Sequence, residues 1–147
     1  MKKLALALAV IVVMAACKTN DKSPSGSGLS TTQKDSMMKD TAKFTSIQWI
    51  DSTTKELGEL KKDQTIEISY RFKNSGNNML VIGSVRAGCG CTVPKTPEKP
   101  YAPGEEGTIT ATFNGSGHGP VNKTITVMAN TNPSEHLLVF KGHLPEN

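Results

Sequence analysis

The chain has 147 residues, 36% of them hydrophobic and 5% aromatic, with a single Trp; that is enough for one domain with a modest core and too little for a second. Its formal charge is +4, and Lys2 and Lys3 carry two of those charges, so the rest is close to neutral and gives no electrostatic reason to expect a nucleic-acid partner. The apolar run at residues 4–16 falls short of the roughly 20 residues needed to cross a bilayer as a helix, which argues against a transmembrane anchor.

Met1-Lys2-Lys3, the apolar stretch 4–13 and Met14-Ala15-Ala16-Cys17 have the layout of a secretory signal peptide over residues 1–16. Cys17 directly after Ala15-Ala16 resembles a bacterial lipobox, whose cysteine thiol takes a diacylglycerol before the leader is cut and the new amine is acylated. Two or three acyl chains exceed the marginal hold of one and give stable anchoring. The reading is a lipid-anchored protein of the cell envelope, facing the periplasm or displayed on the surface. Residues 18–43 are rich in Ser, Thr, Lys, Asp and Gly, with Leu29, Met37 and Met38 as their only large apolar side chains. A segment so polar cannot offset its ordering entropy, so 17–43 is expected to be a disordered tether with a reach of roughly 25–30 Å.

From Phe44 the apolar period becomes two. A strand is expected at 44–50 and a short one at 56–60. Ile66, Ile68, Tyr70 and Phe72 alternate with Glu67, Ser69 and Arg71, one face for a core and one for water. Asn74-Ser75-Gly76-Asn77-Asn78 supplies turn residues, so a hairpin to a strand at 79–85 is expected. Pro103-Gly104 opens a turn before Ile109, Ala111 and Phe113, and Ile125 and Val127 repeat the alternation. Residues 137–140 form a continuous apolar run, read as a closing strand covered on both faces. About seven strands and no helix beyond the leader predict an all-β fold: an immunoglobulin-like Greek-key sandwich over 44–147, lacking the cysteine pair of antibody domains.

Cys89 and Cys91 are the reactive pair. Residues i and i+2 of a strand have Cα atoms about 6.5 Å apart, at the edge of what a disulfide spans, and Gly88 and Gly90 permit a kink that closes the gap. Three readings stand open: an oxidised or dithiol pair stabilising the loop, easily reduced if strained; buried thiols acting as small apolar residues; or two soft ligands for copper or zinc or a redox centre. Zinc wants four ligands. The imidazoles are His118, His136 and His143, and nothing in the spacing brings His118, in Gly117-His118-Gly119, to the cysteines. No base and orienter mark a nucleophile, so the chain is read as non-enzymatic, without a cofactor unless the pair holds copper or zinc.

Trp49 reads as core filler, and Lys61, Lys62, Lys95 and Lys99 as a solvated face interleaved with Glu98, Glu105 and Glu106. Asn114-Gly115-Ser116 and Asn122-Lys123-Thr124 match the N-glycosylation pattern by chance.

Three segments, Phe72-Lys73-Asn74-Ser75-Gly76-Asn77, Cys89-Gly90-Cys91-Thr92 and Ala102-Pro103-Gly104-Glu105, together resemble the domain of unknown function 1573 family. These are envelope proteins abundant in Bacteroidetes and often lipid-anchored. The resemblance covers 44–144 and implies an immunoglobulin-like sandwich near the hydin and pilus-chaperone types; it brings compartment and fold but no activity. Asp35-Ser36-Met37, Asp40-Thr41-Ala42 and Asp51-Ser52-Thr53 resemble the triplet that Bacteroidetes O-glycosylate, which marks Ser36, Thr41 and Ser52 as candidate sites. The function expected is a tethered module binding a protein or glycan partner or scaffolding an assembly. The alternative is a thiol-based copper, zinc or redox handler centred on Cys89 and Cys91.

Overall fold

Alternation of apolar and polar side chains decides most of the fold. The computed structural model describes residues 28–146, which form eight strands: β1 (Ile47–Trp49), β2 (Thr54–Glu59), β3 (Ile66–Asn74), β4 (Ile82–Ala87), β5 (Thr92–Lys95), β6 (Glu106–Phe113), β7 (Gly119–Ala129) and β8 (Glu135–Leu144). They make two four-stranded sheets, one in the order β1-β3-β6-β5 and the other β2-β8-β7-β4. Neighbours are antiparallel except β2, which runs parallel to β8. The chain switches sheet at each step from β1 to β5, then closes with the β5–β6 and β7–β8 pairs.

Ile68, Tyr70 and Phe72 of β3, Ile109, Ala111 and Phe113 of β6, Ile125 and Val127 of β7, and Leu138 and Phe140 of β8 all face one buried cluster. Phe113 meets Phe140 across the sheets at 5.5 Å between ring centroids, and Phe72 meets Tyr101 edge-on at 4.9 Å. Packing there is close: a Cβ on Gly107 would lie 2.5 Å from Phe72 Cζ and from Tyr101 Cε1, so only glycine fits. Tyr70 is buried with its ring in the core, and its hydroxyl donates to the Val139 carbonyl at 2.8 Å. Burial pushes its pKa up to about 12.

Four expectations need correction. The hairpin expected across 74–78 is absent, because β3 pairs with β1 and β6 whereas β4 lies in the other sheet against β7. The segment is an arch that lets the two apolar faces meet across the core. Asn74 is not a turn residue but the buried end of β3: Thr45 Oγ1 (2.9 Å) and the Gly76 N–H (3.2 Å) donate to its Oδ1, while its Nδ2 donates to the carbonyls of Asn78 (2.8 Å) and Tyr101 (2.9 Å). Asn130 closes the same end, accepting from the Val81 N–H at 2.7 Å and donating to the carbonyls of Lys43 and Met79.

Second, the run 137–140 is not covered on both faces. Leu137 is 53% exposed while Leu138 and Phe140 are fully buried, so β8 alternates like its neighbours and its apolar run misled. Third, β5 was not anticipated; it is four residues long, contains Pro94, and lies on a sheet edge, where a missing N–H is tolerated.

Fourth, the segment expected to be a tether without helix contains α1 (Thr31–Lys39), followed by a single 3-10 turn at Thr41–Lys43. A capping box opens it: the Gln33 N–H donates to Ser30 Oγ, and the Ser30 N–H to Gln33 Oε1, which satisfies N–H groups a helix start leaves free. Tertiary contacts hold what so short and polar a helix could not sustain alone. Lys34 Nζ donates to the Pro97 carbonyl at 3.0 Å, the Leu29 N–H to the Glu98 carbonyl at 3.2 Å, and Met38 packs against Gly83 of β4. Residues 1–27, including the leader and Cys17, lie outside the described residues.

Candidate functional site

Cys89 and Cys91 sit where the chain leaves β4 in one sheet and enters β5 in the other. This is a sandwich edge, and the backbone must turn sharply to cross it. Gly88 and Gly90 are exposed, and a Cβ on either would meet nothing within 4 Å. The turn brings the Cα atoms of Cys89 and Cys91 to 5.3 Å, and a disulfide joins them. The Thr92 N–H donates to the Cys89 carbonyl (3.4 Å) and the Asn114 N–H to the Cys91 carbonyl (3.1 Å), which ties the corner to β5 and to the end of β6. Disulfide sulfurs carry no hydrogen, so the buried Thr92 hydroxyl is the donor towards them, 3.7 Å from Cys89 Sγ and 3.9 Å from Cys91 Sγ. Joined in this way, neither sulfur is the thiolate that binds copper or zinc. Among the described residues, no three His, Cys, Asp or Glu side chains cluster so as to hold a metal.

The two cysteines differ in surroundings. Cys91 packs against the hydrophobic core. Cys89 instead lines a surface hollow of about 250 Å³ together with Gly88, Asn122, Lys123 and Thr124. The hollow exists because β4 is shorter than β7. Pairing between them ends at Ala87↔Ile125, whereas β8 accompanies β7 back to Gly119. Past Ala87 the chain peels away, with one last bond from the Gly88 N–H to the Thr124 carbonyl at 3.3 Å. Lys123 occupies an inward register position between the buried Val121 and Ile125, and is less exposed than Asn122 or Thr124 beside it. Lys123 thus lines the hollow from β7.

The other residues marked in the sequence are dispersed. Trp49 packs on the core, edge-on to Phe72 at 5.8 Å and to His136 at 6.1 Å. Thr131 Oγ1 donates to the Pro133 carbonyl at 2.6 Å and so accepts from His136 Nε2 at 2.8 Å; burial lowers the His136 pKa. His118 is exposed, 4.0 Å from Glu146. His143 lies at the far end of β8, its carbonyl bonded to the Leu60 N–H. Lys99 pairs with Glu105 at 2.6 Å and lies over the Tyr101 ring, while Lys61, Lys62 and Lys95 are exposed.

Ser36 on α1 and Thr41 on the 3-10 turn are exposed; so is Ser52, whose Oγ donates to the Thr54 carbonyl. Asp51, the first residue of that triplet, is engaged by Arg71 through its side chain and its backbone N–H, which lowers the carboxyl pKa to about 2. Sequence reasoning missed Lys123, Asn122 and Thr124 as site residues. They were visible only as a chance glycosylation pattern, and no local signal links them to cysteines more than 30 positions earlier.

Comparison with known proteins adds the fold and the family. A protein of unknown function from Porphyromonas gingivalis W83 superposes with a TM-score of 0.61 at 17% identity, over 71% of this chain and 49% of the other, so the chain spans about half that protein's length. The ASH/PapD-like domain 7 of human CEP192 gives a TM-score of 0.55 at 12% identity, over 71% of this chain and 88% of the domain. The Vibrio cholerae protease VesB gives 0.51 at 12% identity, over 76% of this chain and 34% of the protease. Likeness at these identities shows a shared sandwich and nothing of activity. No curated protein matches the sequence. The family described as protein of unknown function (DUF1573) matches residues 48–144, the strands from β1 to β8 with the cysteine corner at their middle, and the chain belongs to it.

Proposed function

We propose that the protein is a non-enzymatic module of the cell envelope, held to a membrane by lipid on Cys17 and presenting its sandwich to a protein or glycan partner. The observation that carries the non-catalytic part is where the buried polar groups spend their hydrogen bonds. Asn74, Asn130, Tyr70 and Thr131 each bond backbone carbonyls or N–H groups of neighbouring segments. They serve the frame rather than a substrate. Surface charge is balanced in the same way: Arg71 and Lys55 meet Asp51, Lys141 meets Glu56, and Lys99 meets Glu105. Such a mixed surface supports a partner other than nucleic acid, whose binding needs a basic face.

The lipobox-like Met14-Ala15-Ala16-Cys17 supports the anchor. Exposed Ser36 and Thr41 fit a glycan-bearing approach to the domain, which a mass increase on peptides covering 35–43 from the native host would show. Fractionation tests the anchor. The protein is expected in the membrane fraction with acyl mass on the Cys17 peptide, and Cys17→Ala is expected to release it or block its processing. A Cys17→Ala chain that is processed and still membrane-bound would defeat the reading.

A further inference from the structure

We infer that the hollow beside Cys89 is a thiol–disulfide exchange site for small anionic thiols, with Cys89 as the sulfur attacked and Cys91 as the leaving sulfur. This goes beyond the binding-module reading and stands whether or not the chain is lipid-anchored.

Three observations converge. The disulfide closes a loop of only three residues at an edge where flanking glycines leave the backbone uncovered. Its two sulfurs are inequivalent: Cys89 lines the hollow and Cys91 packs on the core, so an incoming group reaches one of them first. The hollow also contains one cation and no carboxylate, with Lys123 beside Asn122 and Thr124. A cation at such a place concentrates anionic thiols and favours the thiolate form, which is the nucleophile.

The exchange balances without an outside oxidant. A thiolate attacks Cys89 Sγ, forming a new S–S bond as the Cys89–Cys91 bond breaks, and the electron pair departs on Cys91 Sγ. The Thr92 hydroxyl, 3.9 Å from that sulfur, is placed to hydrogen-bond the emerging thiolate. A second small thiolate then attacks the outer sulfur of the mixed disulfide. It leaves as the small-molecule disulfide, with Cys89 and Cys91 both reduced.

The test uses the full-length protein with glutathione as the anionic probe and cysteamine as the cationic one. Glutathione is expected to form a mixed disulfide located at Cys89 by peptide mass, without unfolding. Lys123→Met is expected to slow that step by on the order of three- to tenfold, the effect of one charge at a few ångströms in water, and to leave cysteamine little changed. With oxidised glutathione, Cys91→Ser should be captured at Cys89 faster than Cys89→Ser is captured at Cys91. Should the single-cysteine variants fail to fold, the wild type alone decides: its glutathione rate falls with added salt and its cysteamine rate does not. Equal capture of both sulfurs, equal salt dependence of the two thiols, or reduction only at the rate of global unfolding would overturn the inference. Loss of membrane attachment in Cys17→Ala leaves all these readouts in place, so the two proposals fail separately.

Discussion

The chain crosses between its sheets twice in quick succession, and the two crossings are held by opposite means. From β3 to β4 the arch is fixed by Asn74 and Asn130, both fully buried, which between them bond six carbonyls or N–H groups of the segments 43–45, 76–81 and 101 along with the Thr45 hydroxyl. From β4 to β5 the corner is closed by one covalent bond between two half-buried cysteines. The first arrangement offers no chemistry to solvent, because every polar atom is spent inside. The second gives little structural return, since a loop of three residues confines the unfolded chain by only roughly 1.6 kcal/mol in the chain-entropy treatment. A bond that contributes so little to stability, kept at an open edge, suits the exchange role proposed for it.

Mutation breaks or sharpens this contrast. The common core that both crossings serve sets the upper end. Phe72→Ala removes a fully buried ring touching Trp49 and Tyr101 and should cost roughly 3–5 kcal/mol, read as a large fall in melting temperature. Asn74→Ala should approach the same size, roughly 3–4 kcal/mol, because it strands one hydroxyl, one N–H and two carbonyls in or near the interior. The Cys89→Ser, Cys91→Ser double variant should lose only about 1–2 kcal/mol in denaturant unfolding. Were it to lose more than Asn74→Ala, the disulfide would be the structural element and the contrast would collapse.

Acidity gives the smallest effect. The pKa of Asp51 is held at about 2 by Arg71, below its unfolded value, so its contribution is present above roughly pH 4 and disappears as pH falls towards 2. An Asp51→Asn variant should show a flatter stability profile across that window. His136 acts in the same direction at higher pH. Burial lowers its pKa, so the unfolded chain takes up a proton first, and stability declines as pH falls below about 6.5. His136→Gln should remove that part of the slope, with both crossings unchanged.

The legible parts of the sequence share a physical character. Ile66 to Phe72, Ile109 to Phe113 and Ile125 with Val127 announce themselves by period two, because burying one face of a strand is a local requirement. The cysteine corner was legible as a kinked pair, since Gly88 and Gly90 are local signals too. The capping box of Ser30 and Gln33 lies in a segment whose polar composition reads as a tether, because what holds α1 is its docking on distant residues. Leu137 misled for the opposite reason: a run of apolar residues does not say which of them the second layer covers. Lys123 had no signal at all, because its meaning depends on β4 ending at Ala87 while β7 continues.

By itself, then, the sequence determined the strands with clear alternation, β3, β6 and β7, the apolar face of each, and which two sulfurs can meet, because these follow from side-chain alternation and from backbone freedom within a few residues. Tertiary structure alone decided that Asn74 begins an arch rather than a hairpin, that α1 docks on β4 through Met38 and Gly83, and that Cys89 and Lys123 share one hollow. Each of these depends on strand lengths and pairing partners set by distant segments. The free energy that chooses among them comes from burying the two sheets against each other, a term no short stretch of sequence contains.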